Sequence, residues 1–131
     1  MEFGYAIVYV PDVGAAVEFY ERAFGLRRRM VHESGQYAEM ETGRTALAFA
    51  SEAMAAANGV AIRPNTGSDA AAAGFELCLV TPDPEAAYAK ATAAGAAAVK
   101  PAEAKPWGQR VAYVRDLNGC IVELCTPMAP P

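Results

Sequence analysis

Residues 5–16, YAIVYVPDVGAA, come back in altered form as residues 76–87, ELCLVTPDPEAA. The two stretches align without a gap at an offset of 71 residues. Each combines an apolar strand, a Pro-Asp turn and the start of an alanine-containing helix. Self-similarity at a fixed period indicates that one supersecondary unit occurs twice. The repeat therefore predicts two modules with the same order of strands and helices.

The composition limits the class of protein. The 131 residues are enough for one domain, and 53% of them are hydrophobic, which suffices for a packed core. A net charge of −4 disfavours a nucleic-acid partner or an anionic membrane surface, and no apolar run approaches the roughly 20 residues that span a bilayer. The three cysteines form neither an even set nor a C-x-x-C pair. We expect one cytoplasmic domain with reduced thiols that binds neither nucleic acid nor membrane.

Helix start and stop signals fall at matching places in the two modules. Asp12 is an N-cap for a helix that runs to about residue 24 and ends at Gly25. Asp83, with Pro84 at the first helical position, begins a second helix that runs to about residue 94 and ends at Gly95. Strands are predicted near residues 3–10, 27–33, 36–42, 45–50, 74–81, 97–102, 109–115 and 120–126.

These elements predict an α+β fold. Two βαβββ modules, at about 1–51 and 74–127, should form a curled eight-stranded mixed sheet around a cleft, with the helices outside. The connection at about 52–73 contains a short alanine-rich helical piece and is interpreted either as a specificity lid or as a tether.

Alternation along the strands assigns their faces, because successive side chains of a strand point to opposite sides. One set of large apolar residues should pack under the helices: Val8, Val10, Leu47, Phe49, Leu77, Leu79, Val122 and Leu124. The opposite set is of mixed polarity, which is typical of a cleft lining: Tyr5, Ile7, Ala46, Ala48, Glu76, Cys78, Ile121, Glu123 and Cys125.

Three segments resemble a known family. YVPDV at residues 9–13, FYERAFGL at 19–26 and DLNGCIVEL at 116–124 are similar to the vicinal oxygen chelate superfamily. That superfamily includes glyoxalase I, extradiol dioxygenases, fosfomycin-resistance enzymes and bleomycin-resistance proteins. The resemblance covers essentially the whole chain and implies the paired-module fold. It leaves the function open, because this scaffold carries both enzymes and metal-free binding proteins.

The resemblance also implies where a metal would be held. In metal-using members, four side chains from the first and last strands of each module bind a divalent ion, commonly two histidines and two carboxylates. Carried over by position, these side chains are Tyr5, Ala48, Glu76 and Glu123. Ala48 has no ligand atom, and a neutral phenol is a poor donor to Zn, Ni or Fe(II). We therefore predict no dedicated metal or cofactor, although the two carboxylates would recruit a hard divalent ion weakly.

The candidate site residues each have an ordinary structural interpretation as well. Glu76 and Glu123 are either solvated residues at a cleft mouth or ligand-facing carboxylates, and as a close pair they are the candidate catalytic residues. Tyr5 either lines the wall of the cleft or donates a hydrogen bond to one of these two carboxylates. Trp107 is interpreted as stacking on a flat ligand or as capping a core edge or dimer seam. We place Tyr5, Ala48, Glu76, Trp107 and Glu123 in a ligand site.

The remaining reactive side chains are given structural roles. Cys78 and Cys125 are interpreted as inert thiols on the cleft face. Arg27, Arg28 and Arg29 indicate a charged edge strand that discourages aggregation, and the only histidine, His32, is placed at the surface.

Three functions remain as hypotheses. The favoured one is a metal-free binding protein that sequesters a small cationic or polar-aromatic compound in an acidic cleft, as bleomycin-resistance proteins do. The alternative is a glyoxalase-like lyase, isomerase or epimerase that uses Glu76 and Glu123, with or without a weakly held divalent metal. The third is a structural module without a ligand. In every case a two-fold homodimer is expected.

Overall fold

The computed structural model describes residues 1–65, 67 and 70–129. The elements follow one another in the order β1 (Tyr5–Val10), α1 (Val13–Phe24), β2 (Arg28–Val31), β3 (Tyr37–Met40), β4 (Ala46–Ser51), α2 (Glu52–Ala57), β5 (Glu76–Val80), α3 (Pro84–Ala93), β6 (Ala97–Ala104), β7 (Arg110–Arg115) and β8 (Ile121–Cys125). The predicted α+β class is confirmed, and each predicted strand and helix is present. Within the described residues, every helix is too short or too polar to cross a bilayer.

The chain divides into two compact units, unit one at residues 1–65 and unit two at residues 66–131. Each unit contains a four-stranded mixed sheet, with strand order β1-β4-β3-β2 in unit one and β5-β8-β7-β6 in unit two. In both sheets the first strand lies parallel to the last, and the other pairs are antiparallel. The two units therefore repeat one topology, as the sequence repeat predicts.

Helix α1 begins and ends where its caps predict. The Asp12 carboxylate accepts a hydrogen bond from the Ala15 amide at 3.0 Å. Gly25 adopts a left-handed conformation at φ 67° and donates its N–H to the Glu21 carbonyl at 3.1 Å. The buried face of the helix packs on the sheet, with the Tyr20 ring 4.9 Å from the Phe49 ring. The predicted core side of β1 and β4 is confirmed, because Val8, Val10, Leu47 and Phe49 are all buried.

Helix α3 repeats this arrangement in unit two. The Asp83 carboxylate accepts from the Ala86 amide at 3.1 Å, and Pro84 occupies the first turn. The helix contacts β6, β7 and β8, and Val122 and Leu124 are buried as predicted. Leu77 and Leu79 are only half-buried, because β5 lies at the edge of its sheet and α3 covers the other three strands.

The strand ends differ slightly from the predicted bounds. β6 continues to Ala104, two residues beyond the predicted end. Pro101, which would normally interrupt a strand, lies where the register with β7 shifts, between Lys100 and Glu103. A proline is tolerated at a bulge on an edge strand, since its missing N–H costs no ladder hydrogen bond there. β2 is an exposed edge strand, as predicted from its arginines.

The end of the connection is fixed to the turn between β7 and β8. The buried Arg115 guanidinium donates to the carbonyl oxygens of Gly119, Gly67 and Ala70, at 2.8, 2.6 and 2.5 Å. In the turn itself, the Asp116 carboxylate accepts from the amides of Asn118 and Cys120, both at 2.9 Å. The predicted Asn118-Gly119 turn is therefore present, with Gly119 at φ 90°.

Candidate functional site

The polar side chains of unit two gather on three adjacent strands. We call Glu76, Cys78, Tyr113, Glu123 and Cys125 the β5–β8 cluster. In the parallel pairing of β5 with β8, Cys78 lies opposite Glu123, and in the antiparallel pairing of β7 with β8, Tyr113 lies opposite the same glutamate. Because residues two apart on a strand share a face, Cys125 lies on the same side as Glu123.

Glu123 is the centre of this cluster. Its carboxylate accepts a hydrogen bond from the Tyr113 hydroxyl at 3.1 Å and from the Cys78 thiol at 3.0 Å. The sulfur atoms of Cys78 and Cys125 are 3.2 Å apart, and Glu76, two residues before Cys78 on β5, lies on the same face of the sheet. Glu76 and Glu123 thus lie on one face of neighbouring strands, and the side chains of Tyr113, Cys78 and Cys125 surround Glu123.

The two carboxyl groups are pushed toward different protonation states. Burial raises the pKa of Glu76, and the hydrogen bond and charge of Glu123 raise it further. Burial acts in the same direction on Glu123, but hydrogen bonds from Cys78, Cys125, Glu76 and Tyr113 outweigh it and lower the pKa of that group. The two pKa values are therefore pushed apart, so Glu76 keeps its proton to a higher pH than Glu123 does.

The surrounding donors stay protonated at neutral pH. Burial, followed by the hydrogen bond to Glu123, raises the pKa of Tyr113 to about 12. Burial also raises the pKa of the Cys78 and Cys125 thiols. A protonated thiol is a poor nucleophile, so neither cysteine is set up for covalent catalysis. The Tyr113 hydroxyl and the Cys78 thiol donate to Glu123, and the Cys125 thiol lies against Cys78.

Trp107 is connected to the same region through Gln109. The indole N–H donates to the Gln109 side-chain oxygen at 2.7 Å, and the Gln109 amide donates to the Thr126 carbonyl at 2.8 Å. The Gln109 side chain also hydrogen-bonds Cys125. The Trp107 side chain is nevertheless 58% exposed, so its indole is held at one edge while its faces remain accessible.

Unit one carries the other two predicted site residues. Tyr5 is 55% exposed on β1, whereas Ala48 on β4 is fully buried. Ala48 lies opposite Ile7 on one side and Glu39 on the other.

Sequence reasoning missed a tyrosine–carboxylate pair in unit one and Tyr113 in unit two, which occupies the strand position that Glu39 has in unit one. The Tyr37 hydroxyl donates to Glu39 at 2.9 Å, and Arg29 lies 3.6 Å from the same carboxylate. Burial and the Glu39 contact raise the pKa of Tyr37 to about 12. Glu39 faces Ala48 as Tyr113 faces Glu123. Alternation along the third strand of each module is the signal that would have revealed these residues.

The family holds its metal ion at four positions, and the residues at these positions in this chain do not suit a metal ion. Ala48 presents a buried methyl group, and the remaining side chains are a phenol and two carboxylates. Catalytic transition-metal sites usually need three good protein ligands. A different set of donors lies entirely within unit two: the ligand atoms of Cys78, Glu123 and Cys125 are all within 4.8 Å of one another.

A separate cavity of about 490 Å³ lies in unit one. Asp12, Gly35, Gln36, Ser51 and Glu52 contribute to its lining. The hydroxyl of Ser51 donates to the Gln36 side chain in a short hydrogen bond, so these polar groups satisfy each other. None of the five predicted site residues lines this cavity.

A family model covers residues 2–124, and the chain therefore belongs to the Glyoxalase/Bleomycin resistance protein/Dioxygenase superfamily. A glyoxalase-related enzyme from Fulvimarina pelagi has a similar structure, with a TM-score of 0.79 and 22% identity over 96% of this chain and 88% of that one. TioX from Micromonospora sp. ML1 matches with a TM-score of 0.72 and 25% identity over 96% and 98% of the two chains. A glyoxalase/bleomycin resistance protein/dioxygenase family enzyme from Burkholderia phytofirmans PsJN matches with a TM-score of 0.78 and 20% identity, over 96% of this chain and 98% of that one. A search of curated proteins found no match.

Proposed function

We propose that the protein binds a small cationic or polar-aromatic compound without a catalytic metal, in the manner of the binding proteins of its superfamily. The observation that carries this proposal is the ionised Glu123 carboxylate, held by the Tyr113 hydroxyl at 3.1 Å and the Cys78 thiol at 3.0 Å. A half-buried carboxylate that is fixed by protonated donors presents its charge to a ligand in one geometry.

The other site residues support a ligand of this class. Glu76 is exposed on β5, on the same face as Glu123, and its raised pKa lets it accept a hydrogen bond when ionised or donate one when protonated. Trp107 has an accessible indole face, which favours cations and flat rings. We include Tyr5 and Ala48 in the proposed site on the strength of their positions in the repeat.

A thermal-shift screen against cationic and polar-aromatic compounds, run with a chelator present, tests this function. Each hit should raise the melting temperature and bind with a measurable dissociation constant. Glu123→Gln should weaken binding by at least about tenfold, because a hydrogen bond to a charged group contributes about 1.5–3 kcal/mol. Glu18→Gln, at an exposed site on α1, is the matched control and should bind normally. Affinity that survives in Glu123→Gln, or that chelation abolishes, would contradict the proposal.

A second candidate function is favoured by the placement of Glu76 and Glu123 on one face of two paired strands, where their pKa values are pushed in opposite directions. A protonated acid beside an ionised base is the arrangement that proton transfer at carbon requires. An isomerase or epimerase would exchange a carbon-bound substrate proton with solvent deuterium, and either Glu76→Gln or Glu123→Gln would stop the exchange. If every ligand that is found binds without exchanging a proton for deuterium, the binding function is supported and the enzyme function is contradicted.

We also propose that the protein forms a two-fold homodimer. β1 and β5 each lie at the edge of a sheet. They expose large apolar side chains, with Tyr5 at 55%, Ile7 at 46% and Val80 at 64% exposure. Exposed apolar edges favour symmetric pairing with a second copy.

A further inference from the structure

Two thiols and a carboxylate face one another on β5 and β8. The Cys78 sulfur lies 3.2 Å from the Cys125 sulfur and 3.0 Å from a Glu123 carboxylate oxygen. Cys78 is exposed, Glu123 is half-buried and Cys125 is buried. The three donors therefore form a cluster on one face of the sheet, and this cluster is accessible to solvent at Cys78.

The donor set selects a class of metal ion. Thiolates prefer soft or borderline ions, and a site of three protein ligands with one open position is a common arrangement for Zn²⁺. Two Zn–S bonds of about 2.3 Å at a tetrahedral angle place the sulfurs about 3.8 Å apart. The observed sulfurs are 3.2 Å apart, so a small rotation of the exposed Cys78 side chain is enough to accommodate an ion.

We propose that Cys78, Glu123 and Cys125 form an exchangeable binding site for a thiophilic divalent ion of the Zn²⁺ and Cd²⁺ class. On binding, each thiol loses its proton to solvent, two metal–sulfur bonds form, Glu123 binds as the carboxylate, and nothing is oxidised or reduced. All three donors come from unit two, so the missing ligand at Ala48 does not affect the site. Glu123 also belongs to the proposed organic-ligand site, and the ion and the compound would compete for it.

Titration with Cd²⁺ tests this proposal without any organic ligand. Protein that has been stripped with a chelator and kept reduced should gain an ultraviolet thiolate-to-metal charge-transfer absorption that saturates at one ion per chain. Cys78→Ala should lose most of this absorption and bind at least about tenfold more weakly, since even partners outside the ligand shell are worth that much. The exposed position of Cys78 makes this variant safe for folding.

Three further variants identify the ligands. Cys125→Ser should also lose most of the absorption, with circular dichroism to verify its fold because the side chain is buried. Glu123→Gln should keep both thiolate bonds and their absorption but bind more weakly. Cys120→Ser removes the third cysteine and should leave the titration unchanged. No charge-transfer band, a band that persists in Cys78→Ala, or binding that never saturates would each overturn the site. Because the readout contains no organic compound, its failure would leave the proposed function standing.

Discussion

At the scale of single residues, Glu123 depends on its neighbours for its charge. Burial alone would raise its pKa, and hydrogen bonds from four side chains reverse the direction. The Tyr113 hydroxyl is the donor that can be removed with the smallest change of shape. The repeat and strand alternation predict Glu76 and Glu123 on one face. They do not predict which carboxyl group is ionised, because that depends on donors supplied by other strands.

Tyr113→Phe should raise the pKa of Glu123 and lower the free energy of unfolding by about 1 kcal/mol, the usual contribution of one hydrogen bond. Carboxyl carbon NMR shifts measured across pH would report the pKa, and denaturant unfolding the stability. Tyr88→Phe on α3, outside the β5–β8 cluster, is the control and should change neither. An unaltered Glu123 titration in Tyr113→Phe would show that this hydroxyl does not hold the charge.

Glu76→Gln should change how stability depends on pH. The pKa of Glu76 is raised above its ordinary value of 4.5, so its contribution is fully present below that value and is lost as the pH rises through the folded-state pKa. Glu123 has a lowered pKa, and its contribution is lost as the pH falls instead. The amide cannot ionise, so the variant should gain stability relative to the wild type as the pH rises above 4.5 and through the raised folded-state pKa of Glu76. Solvent screening at this exposed site limits the gain to about 0.5 kcal/mol. A stability difference between variant and wild type that does not change with pH would contradict the raised pKa of Glu76.

At the scale of elements, the two long helices depend on equivalent caps. Asp12 and Asp83 each bond the amide three residues on, at 3.0 and 3.1 Å. Asp12→Ala and Asp83→Ala should each lower the free energy of unfolding by about 1 kcal/mol. The corresponding asparagine variants should keep most of the stability that the cap contributes. Thermal or denaturant unfolding measures both pairs. Equal losses in the alanine and asparagine variants would mean that the cap bond is not the cause.

The turn between β7 and β8 should tolerate no side chain at Gly119. A methyl group there would lie 2.2 Å from the Gly67 carbonyl oxygen, and the residue has φ 90°. Gly119→Ala should therefore destabilise the protein by about 1–3 kcal/mol, more than the conformational effect alone. Gly108→Ala is the control, since its φ is 99° and its added methyl meets nothing within 4 Å. Equal stability losses at the two glycines would exclude the close contact with Gly67 as a cause.

At the scale of the whole molecule, each unit is small. The division at residue 65 leaves each unit about half of the 131 residues, a size at which a lone domain is marginally stable. We therefore propose that the two units act as one domain and expect a single unfolding transition, monitored by both calorimetry and circular dichroism. Two separated transitions would assign them to independent domains.

The proposed homodimer gives a further expectation at this scale. Sedimentation at micromolar concentration should show a species of twice the 13.7 kDa chain mass. Replacing Ile7, which is 46% exposed on the edge strand β1, by lysine should shift the equilibrium toward monomer by burying a charge in the seam. Ala53→Lys, at an exposed position on the short helix α2, is the control. A lone monomer in the unaltered protein would contradict the proposal.

The sequence by itself determined the repeat, the order of elements, the caps of both long helices and the core side of β1, β4 and β8. These features depend on neighbours a few residues away or on alternation along one strand, and both are visible in the residues. The tertiary structure decided what surrounds Glu123, because Cys78 meets it only after the distant strands β5 and β8 pair, and Tyr113 only once the register of the β7–β8 hairpin is set. It also decided the directions in which the pKa values of Glu76 and Glu123 shift, since a pKa responds to burial and to donors whose distances no spacing rule supplies. The chemistry of the β5–β8 cluster therefore depends on strand pairing, whereas the scaffold that carries the cluster is predicted by the sequence repeat.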